Sequence, residues 1–150
     1  MSVNVYKPHK QQVERSLLFS LNLPETLPEA HNRITDGLSA TLLKQTASLS
    51  SFDEAWLCRL AGIDRNTYNR RVKSTEQTFS ADQSGRIYML IRVLSAAGKL
   101  FNGDMRRAAE WLDTPAKGLG GKKPSELTST VVGAEAVINL IGQIEHSVIT

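Results

Sequence analysis

The sequence of 150 residues contains only one cysteine, Cys58. A single thiol excludes an internal disulfide framework and any zinc finger built on pairs of cysteines. The three histidines, His9, His31 and His146, are scattered without the spacing of metal ligands. The sequence therefore predicts neither a bound metal nor a cofactor.

Long apolar runs are also missing. The N-terminus has no apolar signal region, and no stretch is long enough to span a bilayer. Only 6% of the residues are aromatic against 41% that are hydrophobic, so we expect a mostly aliphatic core. The net charge of +3 is too small to identify a nucleic-acid partner by itself. With its single cysteine, the chain is expected in the reducing cytoplasm, without membrane contact.

Strand-like alternation is absent, whereas helical periodicity runs through the chain. We therefore predict an all-α fold. Ser80 and Gln83 have the spacing of a capping box and open the clearest helix, which we expect to serve both halves of the molecule. Its apolar stripe consists of Ile87, Leu90, Ile91 and Leu94.

Other capping residues predict where helices begin and end. Ser39 is suited to cap one helix, and Ser51 with Glu54 has the spacing of a second capping box. Gly98 and the Asn102-Gly103 turn are predicted to end the helix that starts behind Ser80. A final helix is predicted over residues 131–146.

The most informative pattern is a pair of short helices in the middle of the chain. An amphipathic helix ends at Gly62, and Ile63 anchors the turn in the core. A second helix follows at once behind the N-cap Asp64, with Tyr68 and Val72 on its inner face. This layout is typical of a helix-turn-helix, whose second helix can lie in the major groove of DNA.

Basic and amide side chains occupy the remaining face of the second helix. Between residues 59 and 73 there are five basic residues and one acid. Arginine and asparagine can form paired hydrogen bonds with guanine and adenine edges. Helix pairs are common in all-α domains, so the pattern alone does not require DNA binding. The alternative is that these side chains form a basic face exposed to solvent. We predict base contacts from Arg65, Asn66, Asn69 and Arg70, and phosphate contacts from Thr67, Arg71 and Lys73.

The C-terminal part contains a series of short motifs. They read Trp111-Leu112, Leu119-Gly120-Gly121, Pro124 and Gly133-Ala134-Glu135. In this order they resemble the toxin-binding domain of antitoxins of the MbcA/ParS/Xre group, and the helix-turn-helix is similar to the Xre half of those proteins. The resemblance implies a helix-turn-helix domain over residues 25–80. A linking helix and toxin-binding domain would cover residues 81–150, and residues 1–24 remain unassigned.

The resemblance also implies a mechanism. The partner would be a toxin of the RES class, which degrades NAD, and the antitoxin would be a homodimer that represses its own operon. The C-terminal segment would enter the active-site cleft of the toxin. Apolar side chains at a free end favour burial in a partner, although many terminal tails are frayed and idle. The implied toxin-binding residues are Glu145, His146, Ser147, Val148, Ile149 and Thr150.

Two features depart from the group. Ser147 stands where a glycine is usual, and Ala116-Lys117 replaces an Asn-Pro-like pair after Pro115. The alternative function is a stand-alone transcriptional regulator whose C-terminal half only dimerises. An enzyme is not expected because no acid–base set stands out, and Gly120-Gly121-Lys122-Lys123 lacks the surroundings of a phosphate-binding loop.

Overall fold

The structure is a computed structural model that describes the backbone of residues 16–149 and the side chains of residues 16–147. Within that part of the chain, eight α-helices form the architecture, and the pairing of Ser39 with Thr78 is an isolated antiparallel bridge. The predicted all-α fold is confirmed. The helices are α1 (Leu17–Ser20), α2 (Leu27–Asp36), α3 (Leu42–Ser50), α4 (Glu54–Ala61), α5 (Arg65–Lys73), α6 (Ala81–Leu100), α7 (Met105–Leu112) and α8 (Val131–Ile149).

The long helix α6 lies at the centre of the molecule. It packs against α1, α2 and α4 and also against α7 and α8, so it belongs to the cores of both halves. The predicted capping box at Ser80 and Gln83 is confirmed, with both reciprocal hydrogen bonds present. The stripe predicted from the sequence is fully buried, and each side chain contributes about 1.5–3 kcal/mol through its removal from water. These side chains are Ile87, Leu90, Ile91 and Leu94.

Of the two features predicted to end this helix, Gly98 is wrong and the Asn102-Gly103 turn is confirmed. The helix continues to Leu100, and Gly98 is buried within it. A Cβ atom at Gly98 would lie 2.9 Å from the sulfur of Met105, so the glycine allows α7 to approach α6 closely. The helix is capped at Phe101, just before the predicted turn, in which Asn102 has φ 55° and Gly103 has φ 88°.

Two predicted caps are also wrong. Ser51 has φ 64° and ends α3, whereas Asp53 caps α4 by accepting a hydrogen bond from the Trp56 amide at 3.1 Å. Asp53 caps α4 in place of Ser51 because α3 runs to Ser50 and leaves Ser51 in a left-handed conformation. Ser39 does not cap α3, which begins only at Leu42, because the backbone around Ser39 forms the bridge to Thr78.

The final helix α8 is longer than predicted and extends through Ile149. Its buried side includes Val137 and Ile141. Ser147 does not interrupt the helix, and its hydroxyl donates to the Gln143 carbonyl one turn earlier. None of the helices described here combines the length and apolar character needed to cross a bilayer.

Candidate nucleic-acid interface

The predicted turn between α4 and α5 is confirmed. Gly62 has φ 70°, a left-handed conformation that favours glycine. Its amide donates to the Arg59 carbonyl at 3.0 Å, and the Ile63 amide donates to the Cys58 carbonyl at 2.9 Å. Ile63 is only 5% exposed, so its side chain anchors the turn in the core as predicted. The chain can therefore start α5 immediately after the turn.

The predicted N-cap of α5 is also confirmed. The carboxylate of Asp64 accepts hydrogen bonds from the amides of Asn66, at 3.0 Å, and Thr67, at 3.2 Å. Its negative charge also suits the positive end of the helix dipole. This cap fixes the first turn of α5, from which predicted base-reading side chains extend.

The inner face of α5 is held by Tyr68. Its ring is buried and lies 6.2 Å from the ring of Phe79 in a stacked arrangement. Its hydroxyl donates to the carboxylate of Glu54 on α4. Burial raises the pKa of Tyr68 above its ordinary value, and the hydrogen bond to Glu54 raises it further. The two helices are therefore joined by a side-chain contact as well as by the turn.

The outer face of α5 carries the predicted DNA-binding residues. Arg65, Asn66, Asn69, Arg70 and Lys73 are exposed. An open depression of about 550 Å³ lies on this face. The residues that line it, together called the recognition depression below, are Asp64, Asn66, Asn69, Arg70 and Lys73.

The other predicted DNA-binding residues lie outside the recognition depression. The guanidinium of Arg65 is 5.9 Å from the centre of the Tyr68 ring. Arg71 is half-buried and donates to the Thr78 carbonyl at 3.4 Å. Thr67 is half-buried too, and its hydroxyl oxygen accepts a hydrogen bond from Arg70 at 3.3 Å.

Sequence reasoning missed one residue beside this surface, Arg86 on α6. One of its guanidinium nitrogens donates to the carbonyls of Ala61 and Gly62, at 3.1 and 2.5 Å. Arg86 lies 25 positions after Ala61 and 24 after Gly62 in the sequence, so no local pattern could have revealed these contacts. Only the ion pair with Asp82, four residues earlier on α6, has a signal in the sequence.

The C-terminal residues predicted to bind a toxin follow one another on the last turns of α8. Glu145 is half-buried, and His146 and Ser147 are exposed. The backbone of Val148 and Ile149 continues the helix, while the predicted contacts of their side chains, and Thr150 as a whole, lie outside the described residues.

The remaining groups to consider for chemistry are Cys58 and the acidic side chains. Cys58 is buried, and burial raises the pKa of its thiol to about 11, so the thiol is protonated at neutral pH. Among the described residues, no three histidine, cysteine or acidic side chains cluster as metal ligands would.

The fold and the exposed face of α5 define a helix-turn-helix protein with a second helical unit joined to it through α6. Two family models agree with this division of the chain. The Antitoxin Xre-like helix-turn-helix domain matches residues 29–92, and the Antitoxin Xre/MbcA/ParS C-terminal toxin-binding domain matches residues 96–146.

Full-length relatives extend the similarity over nearly the whole chain. An Antitoxin Xre of Photorhabdus laumondii is 34% identical, with 99% of this chain and 100% of the relative covered. Another Antitoxin Xre, from Yersinia enterocolitica, is 33% identical with 97% and 99% covered. A third, from Pseudomonas putida, is 26% identical with 96% of both chains covered. The chain belongs to the Xre antitoxins, and is thus the antitoxin of a type II toxin–antitoxin system.

Proposed function

We propose that this antitoxin represses its own operon by placing α5 in the major groove of operator DNA. The observation that supports this is the exposed recognition depression, where Asn66, Asn69 and Arg70 meet beside the capped start of the helix. Their side chains, with that of Arg65, are the types that read adenine and guanine edges. The inner contacts of Tyr68 hold the helix against α4 while its outer face stays free for DNA.

Phosphate contacts complete the proposed interface. Thr67 lies in the first turn of α5, among the proposed base-reading residues, and Arg71 and Lys73 lie in its last turn, beyond them. Arg71 donates to a backbone carbonyl through one nitrogen, and a guanidinium has further N–H groups with which it would bind a phosphate. Operator binding should weaken with salt, with a log–log slope of about −0.9 for each phosphate neutralised.

The proposed toxin is a RES-like enzyme that degrades NAD, and the antitoxin would inhibit it by steric occlusion. The resemblance of the C-terminal motifs to antitoxins of this kind supports the choice of partner. The unbroken helix α8 supports the mechanism, because it carries Glu145, His146 and Ser147 to the end of a rod of 19 residues. Val148, Ile149 and Thr150 would enter the cleft, and each aliphatic side chain buried there would contribute about 1.5–3 kcal/mol.

The active assembly would be a homodimer bound to the toxin in the cytoplasm. Two copies of α5 would then read two half-sites about 34–36 Å apart along the DNA, which is one helical turn. The antitoxin itself would contribute no catalysis, since both proposed roles need only binding surfaces. A regulator that merely dimerises through its C-terminal half is the less favoured function, because residues 96–146 match a toxin-binding domain.

Co-expression with the product of the neighbouring gene tests the proposal. The neighbour alone should deplete cellular NAD and stop growth, and the antitoxin should restore both by forming a complex that can be purified. A neighbour that is harmless, or that is not bound by this chain, would refute the toxin half. The DNA half requires specific binding of the purified chain or complex to a duplex from upstream of its own gene.

A further inference from the structure

The turn of the helix-turn-helix is held from outside by Arg86, a residue of the shared helix α6. One guanidinium nitrogen donates to the carbonyls of Ala61, at 3.1 Å, and Gly62, at 2.5 Å. The other terminal nitrogen donates to Asp82 at 3.1 Å. The side chain of Arg86 is 21% exposed, so most of it is enclosed by the protein. Its planar fork thus connects α6 to the two carbonyls at the end of α4.

A second segment confines the same turn. A Cβ atom placed on Gly62 would lie 2.8 Å from the guanidinium nitrogen of Arg86 and 3.0 Å from the Cβ of Ser129. Ser129 precedes α8 by two residues. The turn therefore lies between a side chain of α6 and the segment that leads into α8, and it has little room to shift.

The position of the turn determines where α5 begins. Gly62 is followed by the buried Ile63, the cap Asp64 and then the first residue of the helix, Arg65. The positive charge of Arg86 also lies at the C-terminal end of α4, where the helix dipole favours a cation. Arginine suits this position better than lysine because its fixed fork can satisfy several acceptors in one plane.

We propose that Arg86 is a positioning residue for operator recognition. It fixes the turn, and the turn sets the depth and direction with which α5 enters the major groove. Arg86 acts on the DNA through Ala61 and Gly62 and does not itself touch a base. This inference rests on the proposed function, in which α5 reads the operator.

The test compares Arg86→Gln and Arg86→Lys with the same substitutions at Arg92 in the full-length chain. Arg92 is a matched control because it is a half-buried arginine on the same helix, and its guanidinium donates to the sulfur of Met89. Each variant is titrated with a duplex from upstream of its own gene and with a random duplex of equal length, at several salt concentrations. Thermal unfolding of each variant is measured in parallel.

A positioning role predicts a loss of specificity without a loss of phosphate contacts. Arg86→Gln should bind the upstream duplex about tenfold more weakly than Arg92→Gln, which corresponds to losing one good base contact. Affinity for the random duplex and the salt slope should stay as in the wild type. Arg86→Lys should recover part of the lost affinity. If Arg86→Gln does not fold, Arg86→Lys is compared with Arg92→Lys instead.

Two results would overturn this assignment. Equal specific affinity of the Arg86 and Arg92 variants would show that the turn needs no such support. A salt slope that is smaller in magnitude by about 0.9 would show that Arg86 contacts a phosphate directly. Failure of the proposed function is distinguishable, because the wild type would then show no preference for the upstream duplex.

Discussion

Asn66 and Arg70 lie one helical turn apart on the exposed side of α5 and share the recognition depression. Asn66→Ala and Arg70→Ala should each cost about 1–3 kcal/mol of operator binding, because each change removes a side chain able to form a bidentate pair with a base. Gel-shift titrations with the operator, and with operators altered at single base pairs, measure both the loss and the relaxed sequence choice.

Matched controls for these two variants lie on the C-terminal half. Asn139 is an exposed asparagine of α8, and Arg106 is an exposed arginine of α7 that pairs with Glu110. Asn139→Ala and Arg106→Ala should leave operator binding unchanged. If the control variants weaken binding as much as the α5 variants do, the assignment of base readout to α5 is wrong.

The buried thiol of Cys58 should affect the stability of the folded protein at alkaline pH. The pKa of its thiol is raised from 9.0 to about 11, chiefly by burial, so the unfolded chain loses this proton at a lower pH than the folded chain. The contribution to stability is complete below pH 9 and is lost as the pH rises to about 11. Cys58→Ala should therefore show a smaller fall in melting temperature between pH 9 and 11.

The slope with pH, rather than the stability of the variant at one pH, is the relevant measurement for Cys58. Tyr68 also has a pKa raised by burial, so it adds to the alkaline fall in both proteins. Identical slopes for Cys58→Ala and the wild type would mean that the thiol ionises equally in the folded and unfolded chains.

At the scale of the helices, a helix start could be predicted from the sequence where the capping residue binds backbone amides only a few residues away. Asp64 and the pair of Ser80 and Gln83 act on amides two or three residues away, and these caps are confirmed. Ser51 has the same kind of signal but failed as a cap, because α3 extends to Ser50 and leaves Asp53 as the next available cap.

The C-terminal end of α8 can be tested for its proposed role in toxin binding by a short deletion. Deleting residues 148–150 should abolish toxin neutralisation while leaving the melting temperature nearly unchanged, because the core side chains Val137 and Ile141 remain in place. A growth-rescue assay with the co-expressed toxin, together with thermal unfolding, measures the two effects separately.

A single substitution refines the tail experiment. Val148→Asp should prevent rescue, since burying a carboxylate without a partner in the proposed cleft is costly. Val132→Asp is the control, because Val132 lies near the opposite end of α8 and is 79% exposed. Full protection by the truncated chain, or equal loss of protection by both valine variants, would contradict the proposed occlusion by the tail.

At the scale of the whole molecule, α6 makes the two halves depend on each other. Leu90 is fully buried in this shared helix. Leu90→Ala should lower the free energy of unfolding by about 2–5 kcal/mol through lost burial and the cavity left behind. Chemical denaturation followed by circular dichroism should still show one transition. Separate transitions for the two halves would contradict a shared core.

The order of helices and the family could be predicted from the sequence, but the arrangement around the turn could not. Gly62 indicates a sharp turn, yet nothing near it in the sequence identifies Arg86 or Ser129 as its neighbours in the fold. Likewise, Gly98 resembles a helix end in the sequence and is in fact a point of close approach to Met105. Such roles depend on contacts between elements, which the folded molecule alone brings together.

The proposed function places two separate binding surfaces on one chain, α5 for DNA and the end of α8 for the toxin. The most direct test measures operator affinity and toxin neutralisation for both Arg70→Ala and Val148→Asp. We predict that Arg70→Ala loses operator binding and still neutralises the toxin, while Val148→Asp does the reverse. The claim would be contradicted if either variant lost both activities while remaining folded, or if each lost the activity assigned to the other.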